Sequence, residues 1–213
     1  VSKTVVSSTH LLSLINDILD MSRIESGKIS LENVDCNLSE IMHDLNTIIL
    51  GEANAKHLKL YMDSFTIEDE NVVCDKLRLH QVLINLLSNA VKFTPEGGII
   101  HVFVRQTGKE GSMGLYEFCV KDDGIGMSPE FLKVLYDPFE RERTSTISKT
   151  QGTGLGMSIT KKIVDMMGGS IDVVSSPGKG TEFTVRVKLK SQDVPMDLFK
   201  ISSLQNARAL VVE

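Results

Sequence analysis

Gln151-Gly152-Thr153-Gly154-Leu155-Gly156-Met157 is the stretch from which the rest of the 213-residue chain is read. Its three alternate glycines, Gly152, Gly154 and Gly156, remove Cβ atoms where backbone must approach a partner closely. The run Leu155 to Met167 that follows has helical apolar spacing. A helix that opens on bare backbone N–H groups is an anion site, so phosphate is the first ligand to consider. A glycine repeat alone is weak evidence for a nucleotide, and the residues upstream decide the matter.

The first upstream segment is a helix predicted over Lys76 to Lys92, N-capped by Asp75, with Leu79, Val82, Leu83, Leu86, Leu87, Ala90 and Val91 as its buried face. Gln81, Asn85 and Asn89 recur every four residues, and Lys92 follows three later, so all four project along one stripe. Asparagine is a mediocre helix former, and a plain solvent face would favour Glu, Lys or Arg. A carboxamide oxygen is a hard neutral donor suited to Mg²⁺, which keeps waters and is completed by nucleotide phosphates. The structural alternative is that these Asn side chains hydrogen-bond to a loop. The glycine turn Asp122-Asp123-Gly124-Ile125-Gly126-Met127 adds a carboxylate at a strand end. Such a carboxylate accepts from an exocyclic amine and so selects adenine over guanine. Asp122 is the preferred reader, Asp123 the competitor, and an Asx turn the plain reading of either.

The remaining chain frames these motifs. With 23 Lys plus Arg against 28 Asp plus Glu, a formal charge of -5 and no basic run interleaved with aromatics, a nucleic-acid partner is not indicated. Cys36, Cys74 and Cys119 are odd in number and lack metal-type spacing, so neither a disulfide framework nor a zinc site is expected, and a reducing cytoplasm fits. No apolar run is long enough to span a bilayer, so no membrane contact is expected of this segment. The opening at Val1 in mid-helix points to a boundary inside a longer protein, one that leaves room for a membrane anchor elsewhere. Residues 1 to 26 have a broad apolar helical face that suits a bundle shared between two chains, ended by Gly27.

Beyond that helix, Ile29 to Val34 alternates weakly as a strand, Leu38 to Ala53 reads as a helix capped by Asn37, and Leu58, Leu60 and Met62 alternate again. Ile99 to Gln106 and Leu115 to Lys121 read as a hairpin turning at Gly108 to Gly114, followed by a helix from Ser128-Pro129 to Tyr136. Glu140 to Gln151 lacks apolar periodicity and reads as a mobile loop, a lid beside the ligand. Strands at Ser170 to Ser175 and Glu182 to Leu189 close the pattern, which argues for an α+β, two-layer sandwich.

The segments Asp75 to Thr94, Asp122 to Met127, Asp137-Pro138-Phe139 and Gly152 to Met157 resemble, in order and spacing, the N, G1, F and G2 boxes of two-component sensor histidine kinases. With Gly178-Lys179-Gly180-Thr181-Glu182-Phe183, the resemblance covers roughly residues 29 to 190. It implies a Bergerat-type ATP-binding sandwich like that of gyrase, preceded by one bundle helix. ATP and Mg²⁺ are the implied ligands, with Asn89 on the metal, Asp122 on the adenine amine, and Asn85 and Lys92 at the reacting phosphates. The implied binding set also includes Phe93, Gly124, Gly126, Met127, Arg141, Arg143, Gly152, Thr153, Gly154, Leu155, Gly156 and Thr181, with the loop between Phe139 and Gly152 as lid. Hydrolysing relatives such as gyrase carry a water-activating glutamate at the position of Asn85. An amide cannot remove that proton, so transfer is favoured over hydrolysis.

Residues 1 to 28 resemble the second helix of the family's dimerisation and phosphoacceptor domain, which implies a homodimer through the bundle and a response-regulator receiver as partner. The accepting histidine would precede Val1. His10, His80 and His101 do not fit that role, and His43-Asp44-Leu45-Asn46-Thr47 echoes the acceptor motif only superficially because Ile48 replaces its proline. Autophosphorylation of this segment alone is therefore not expected. Residues 191 to 213 read as a linker, and Ala207 to Glu213 resembles the first strand of a receiver domain, as in a hybrid kinase. The alternatives are a serine kinase or ATPase of the same superfamily, or a degenerate nucleotide-binding dimer scaffold.

Overall fold

The computed structural model describes residues 15, 18–23, 26–27, 30–65, 67–142 and 153–192. The readings placed on the tail from Ala207 and on Arg143 and Gly152 lie outside these residues. Most of the first helix does too, although residues 18–23 are helical.

Strand β1 (Val34–Asn37) passes directly into helix α1 (Leu38–Ala55). Asn37 makes the switch: its backbone is still extended, and its side-chain oxygen accepts from the Glu40 N–H at 3.1 Å. The strand expected over Ile29 to Val34 lies later, because its register is set by antiparallel pairing with β3 (Asn71–Cys74). Four-residue β3 is too short to show a period of two, and the sequence reading has no counterpart for it. Asp75 then caps α2 (Lys76–Phe93), its Oδ1 accepting from the Arg78 N–H at 2.9 Å, and the buried face of α2 is the expected one.

Strand β2 (Lys59–Phe65) pairs in parallel with β4 (Ile99–Glu110), and α2 lies in the connection between them. β4 and β5 (Met113–Asp122) form a hairpin longer than expected. The glycine-rich stretch from Gly108 is not the turn: Gly108 pairs with Leu115 and Lys109 with Gly114, and a register shift beside Gln106 absorbs one residue. The reversal is confined to Gly111 and Ser112. Helix α3 (Pro129–Leu132), capped by Ser128, stops short of Tyr136. Helix α4 (Gly156–Met166), β6 (Ser170–Ser175) and β7 (Thr181–Ser191) follow as the last of the described elements.

The strands make one mixed sheet in the order β1-β3-β7-β5-β4-β2, with β6 beside β7. β5 covers one edge of β7 along its length, while β6 and β3 share the other edge in succession. Ile100, Val102, Val104, Phe118, Val120, Val185 and Val187 share a buried core with Leu45 and Ile49 of α1, Leu83 and Leu87 of α2, and Ile159 and Ile163 of α4. The opposite face carries Arg105 and Arg186, which both pair with Glu117, and a Tyr61–His101 stack. The architecture is the expected two-layer α+β sandwich, with α1, α2 and α4 packed on one face among the described residues. No described helix is long and apolar enough to cross a membrane.

Candidate functional site

A cavity of about 510 Å³ opens between α2, the turn after β5 and the start of α4. Asn85, Asn89, Lys92 and Phe93 of α2 line it, as do Asp122, Gly126 and Met127 of the turn, Arg141, and Thr153, Gly154, Gly156 and Thr181. Its volume is in the range of small-molecule sites. Residues separated by about 100 positions converge here because α4 packs on α2 and the end of β5 lies against the start of β7.

Two α2 asparagines face the first turn of α4. The Asn85 Nδ2 donates to Thr160 Oγ1 at 2.7 Å and lies 3.8 Å from Met157 Sδ, while the Asn89 Nδ2 lies 3.5 Å from the same sulfur. A Cβ on Gly156 would sit 2.5 Å from Asn85 Oδ1, so only glycine lets the two helices meet this closely. Asn85 thus has an internal partner, but on helix α4 and not on a loop as the structural alternative had it. Thr160 was not singled out by sequence; its place three residues after Met157, on the same helical face, is the signal that could have found it.

Asp122 is held in an Asx turn, its Oδ1 accepting from the Gly124 N–H at 2.8 Å. Burial pushes its carboxyl above the ordinary aspartate range, against the backbone hydrogen bonds from Gly124 and Thr181 that pull it down. Asp123, the competitor, is turned away and accepts from the Ile99 N–H at 2.7 Å. Gly126 has φ +65°, and a Cβ there would collide with the Ser176 carbonyl. Ser175 Oγ accepts from the Met127 N–H at 2.9 Å and donates to the Gly180 carbonyl at 2.9 Å, stapling this turn to the β6–β7 turn. Ser175 is a second residue the sequence reading missed.

At the opposite wall, α4 begins without a side-chain cap from its N-cap residue Leu155; instead Thr153 Oγ1 accepts the Leu155 N–H at 3.1 Å. The next N–H groups, of Gly156, Met157 and Ser158, have no carbonyl four residues earlier within the helix, which makes this end attractive to anions. Burial, and then the nearby Arg141 charge, hold the Lys92 ammonium below the usual lysine range. Lys92 Nζ lies 5.0 Å from the centre of the Phe93 ring. Phe139, in the left-handed region at φ +67°, donates its N–H to the Gly154 carbonyl at 3.0 Å, and Glu142 Oε1 accepts from the Ser128 N–H at 2.9 Å. The first bond ties Phe139 to the segment that opens α4, and the second ties Glu142 to the start of α3.

Two expected members stand behind the wall instead of on it. Leu155 is fully buried, its side chain in the core between α2 and α4. Gly124 is buried with its N–H committed to Asp122, and a Cβ there would meet Asp122 Oδ1 and the Phe93 carbonyl at 2.7 Å. Among the described residues no group of three or more His, Cys, Asp or Glu gathers to hold a metal by itself. Among the oxygen donors lining the cavity, the neutral Asn89 carboxamide fits a magnesium ion whose shell is filled mainly by phosphate and water.

Residues 74–191 match the family described as histidine kinase-, DNA gyrase B-, and HSP90-like ATPase. The chain is 39% identical over 193 residues to sensor histidine kinase GacS of Pseudomonas protegens, covering 90% of this chain and 21% of that protein. It is 35% identical over 209 residues to the autoinducer 2 sensor kinase/phosphatase LuxQ of Vibrio harveyi, covering 97% of this chain and 24% of that one. The chain thus spans about a fifth to a quarter of the length of these curated relatives. Among solved structures, full-length ShkA in complex with AMPPNP superposes with a TM-score of 0.74 at 27% identity, over 87% of this chain and 37% of that one. Histidine kinase AdeS of Acinetobacter baumannii shares the fold, with a TM-score of 0.68 at 20% identity over 88% of this chain and 83% of that one.

Proposed function

The chain belongs to the histidine kinase-, DNA gyrase B- and HSP90-like ATPase family, and from that premise we propose that it is the Mg-ATP-binding catalytic region of a two-component sensor histidine kinase. It transfers the γ-phosphate of ATP to a histidine outside this segment, for relay to an aspartate of a response-regulator receiver. One observation carries the reading: Asn89, Lys92, Asp122, Thr181 and the open start of α4 face a single cavity. The ShkA complex, whose bound nucleotide is AMPPNP, supports it. The parent works as a homodimer through the helical bundle, in the cytoplasm.

Asp122 reads the exocyclic amine of adenine, and the stapled turn through Gly126 and Met127 holds that carboxylate in place. Thr181 adds a hydroxyl beside it. The N–H groups at the start of α4 receive phosphate oxygens, and Lys92 and Arg141 neutralise their charge. Asn89 supplies the protein ligand to magnesium, which when bound would screen the phosphates and favour departure of the diphosphate. Asn85, its Nδ2 spent on Thr160, has no basic atom with which to activate water, so the chain positions phosphate for transfer to an imidazole nitrogen.

The test is equilibrium binding of ATP and GTP with Mg²⁺ to wild type, Asn89→Ala and Asp122→Ala. A charge-assisted hydrogen bond of ~1.5–3 kcal/mol corresponds to roughly a 10- to 100-fold loss of ATP affinity for Asp122→Ala, with GTP weak throughout. Asn89→Ala should lose the Mg²⁺ dependence and leave metal-free binding in place. ATP affinity unchanged in both variants would sink the site assignment.

A further inference from the structure

Cys36 and Cys74 lie 38 positions apart in sequence, yet their Sγ atoms are 2.7 Å apart. That is about 0.7 Å beyond a disulfide bond and well inside ordinary sulfur contact. Both are free thiols, with Cys36 8% exposed on the edge strand β1 and Cys74 1% exposed on β3. The register Val34↔Cys74 and Cys36↔Val72 puts the two side chains on one face of the pair, diagonally opposed. Each cysteine also immediately precedes a helix cap: Cys36 precedes Asn37, which caps α1, and Cys74 precedes Asp75, which caps α2. Asp75 is bound from the other side as well, its Oδ2 accepting from the Glu32 N–H at 2.9 Å.

We propose that Cys36 and Cys74 are a reversible thiol–disulfide site that closes under peroxide within the folded protein and clamps together the starts of α1 and α2, the helix that carries Asn85 and Asn89. The Cys36 sulfur, as thiolate, attacks one peroxide oxygen. The O–O bond breaks, Cys36 becomes a sulfenic acid, and the departing hydroxide takes up the proton that Cys36 gave to solvent and becomes water. The Cys74 sulfur then displaces the hydroxyl from Cys36, the S–S bond forms, and the Cys74 proton departs with that hydroxyl as water. Two thiols lose two electrons and the peroxide gains them, giving two waters in all.

The division of labour follows from the contact. The close contact with the Cys74 sulfur draws the Cys36 thiol below its ordinary value, against burial, while the same contact and burial push Cys74 up. Cys119 is an internal control: as buried as Cys74, on β5 two strands away from β3, and pushed up to about 11 by burial. The proposal is independent of any nucleotide.

The experiment treats the reduced chain with hydrogen peroxide, digests it without reductant and maps the peptides by mass spectrometry. The expected product is one intramolecular Cys36–Cys74 link with a mass loss of two hydrogens, Cys119 still free, and full reversal by dithiothreitol. Hydrogen exchange in the first turns of α1 and α2 should slow in the linked form. In Cys74→Ser the same treatment should stop at a sulfenic acid on Cys36, trapped by a dione reagent; if that variant does not fold, the wild-type map decides alone. Intact thiols, earlier oxidation of Cys119, a link between chains or unchanged exchange at both helix starts would each overturn the proposal.

Discussion

At the scale of single residues, the most informative group is Asp122, where binding and stability pull apart. Burial disfavours its charged form, so its folded pKa lies above the unfolded value of ~3.9. The stability this contributes is complete below the unfolded pKa and is lost as pH rises through the folded one. Asp122→Asn abolishes that titration. The urea midpoint of Asp122→Asn relative to wild type should therefore climb as pH rises from about 3 to about 7, while ATP affinity at neutral pH falls. A pH-independent difference would mean that the carboxylate is well solvated. A site residue kept at a cost in stability is what a ligand-reading carboxylate predicts.

At the scale of elements, close approach of α2 and α4 builds one wall of the cavity, and two glycines separate this effect from helix propensity. Gly51 lies within α1 with nothing within 4 Å of where a Cβ would stand, so Gly51→Ala should stabilise the protein by about 0.5–1 kcal/mol. Gly156 opens α4 against Asn85 Oδ1, so Gly156→Ala should cost about 1–3 kcal/mol and weaken nucleotide binding by forcing the helices apart. Thermal or urea unfolding of both variants gives the comparison. A gain for Gly156→Ala equal to that of Gly51→Ala would show that the contact yields freely. The helices themselves were legible, since α1, α2 and α4 carry clear apolar faces and side-chain caps mark the starts of the first two. β1, β3 and the β4–β5 reversal were not, because their limits come from partner strands and not from local composition.

At the scale of the molecule, the first helix is tied to the α+β sandwich through Asp20. Its Oδ2 lies 3.4 Å from an Arg78 guanidinium nitrogen and accepts from the Gln81 Nε2 at 2.9 Å, while Met21 joins the core. Gln81, read from sequence as the first member of the polar stripe, lines the cavity and also makes this contact. The Asp20 and Arg78 side chains are 21% and 16% exposed, against 48% and 41% for the Asp44–Lys76 pair. A double-mutant cycle on Asp20 and Arg78 should give a coupling of about 1 kcal/mol, and one on Asp44 and Lys76 under about 0.5 kcal/mol. Equal couplings would show that the first helix rests on the sandwich without a specific latch.

By itself the sequence determined the class of fold, the helices and the ordered boxes, because caps, glycine positions and a 3.6-residue apolar period act over a few neighbouring residues. It also picked out Asn89 and Lys92, which line one stripe of α2, and Asp122, which local structure accounts for as an Asx turn. Only the tertiary structure decided which of these share a cavity, that Leu155 and Gly124 stand behind its wall, and that Thr160 and Ser175 hold the Asn85 amide and the Asp122 turn. It alone brought Cys36 to Cys74. These are contacts across strands and between packed helices, and their energies depend on distances that no local pattern encodes.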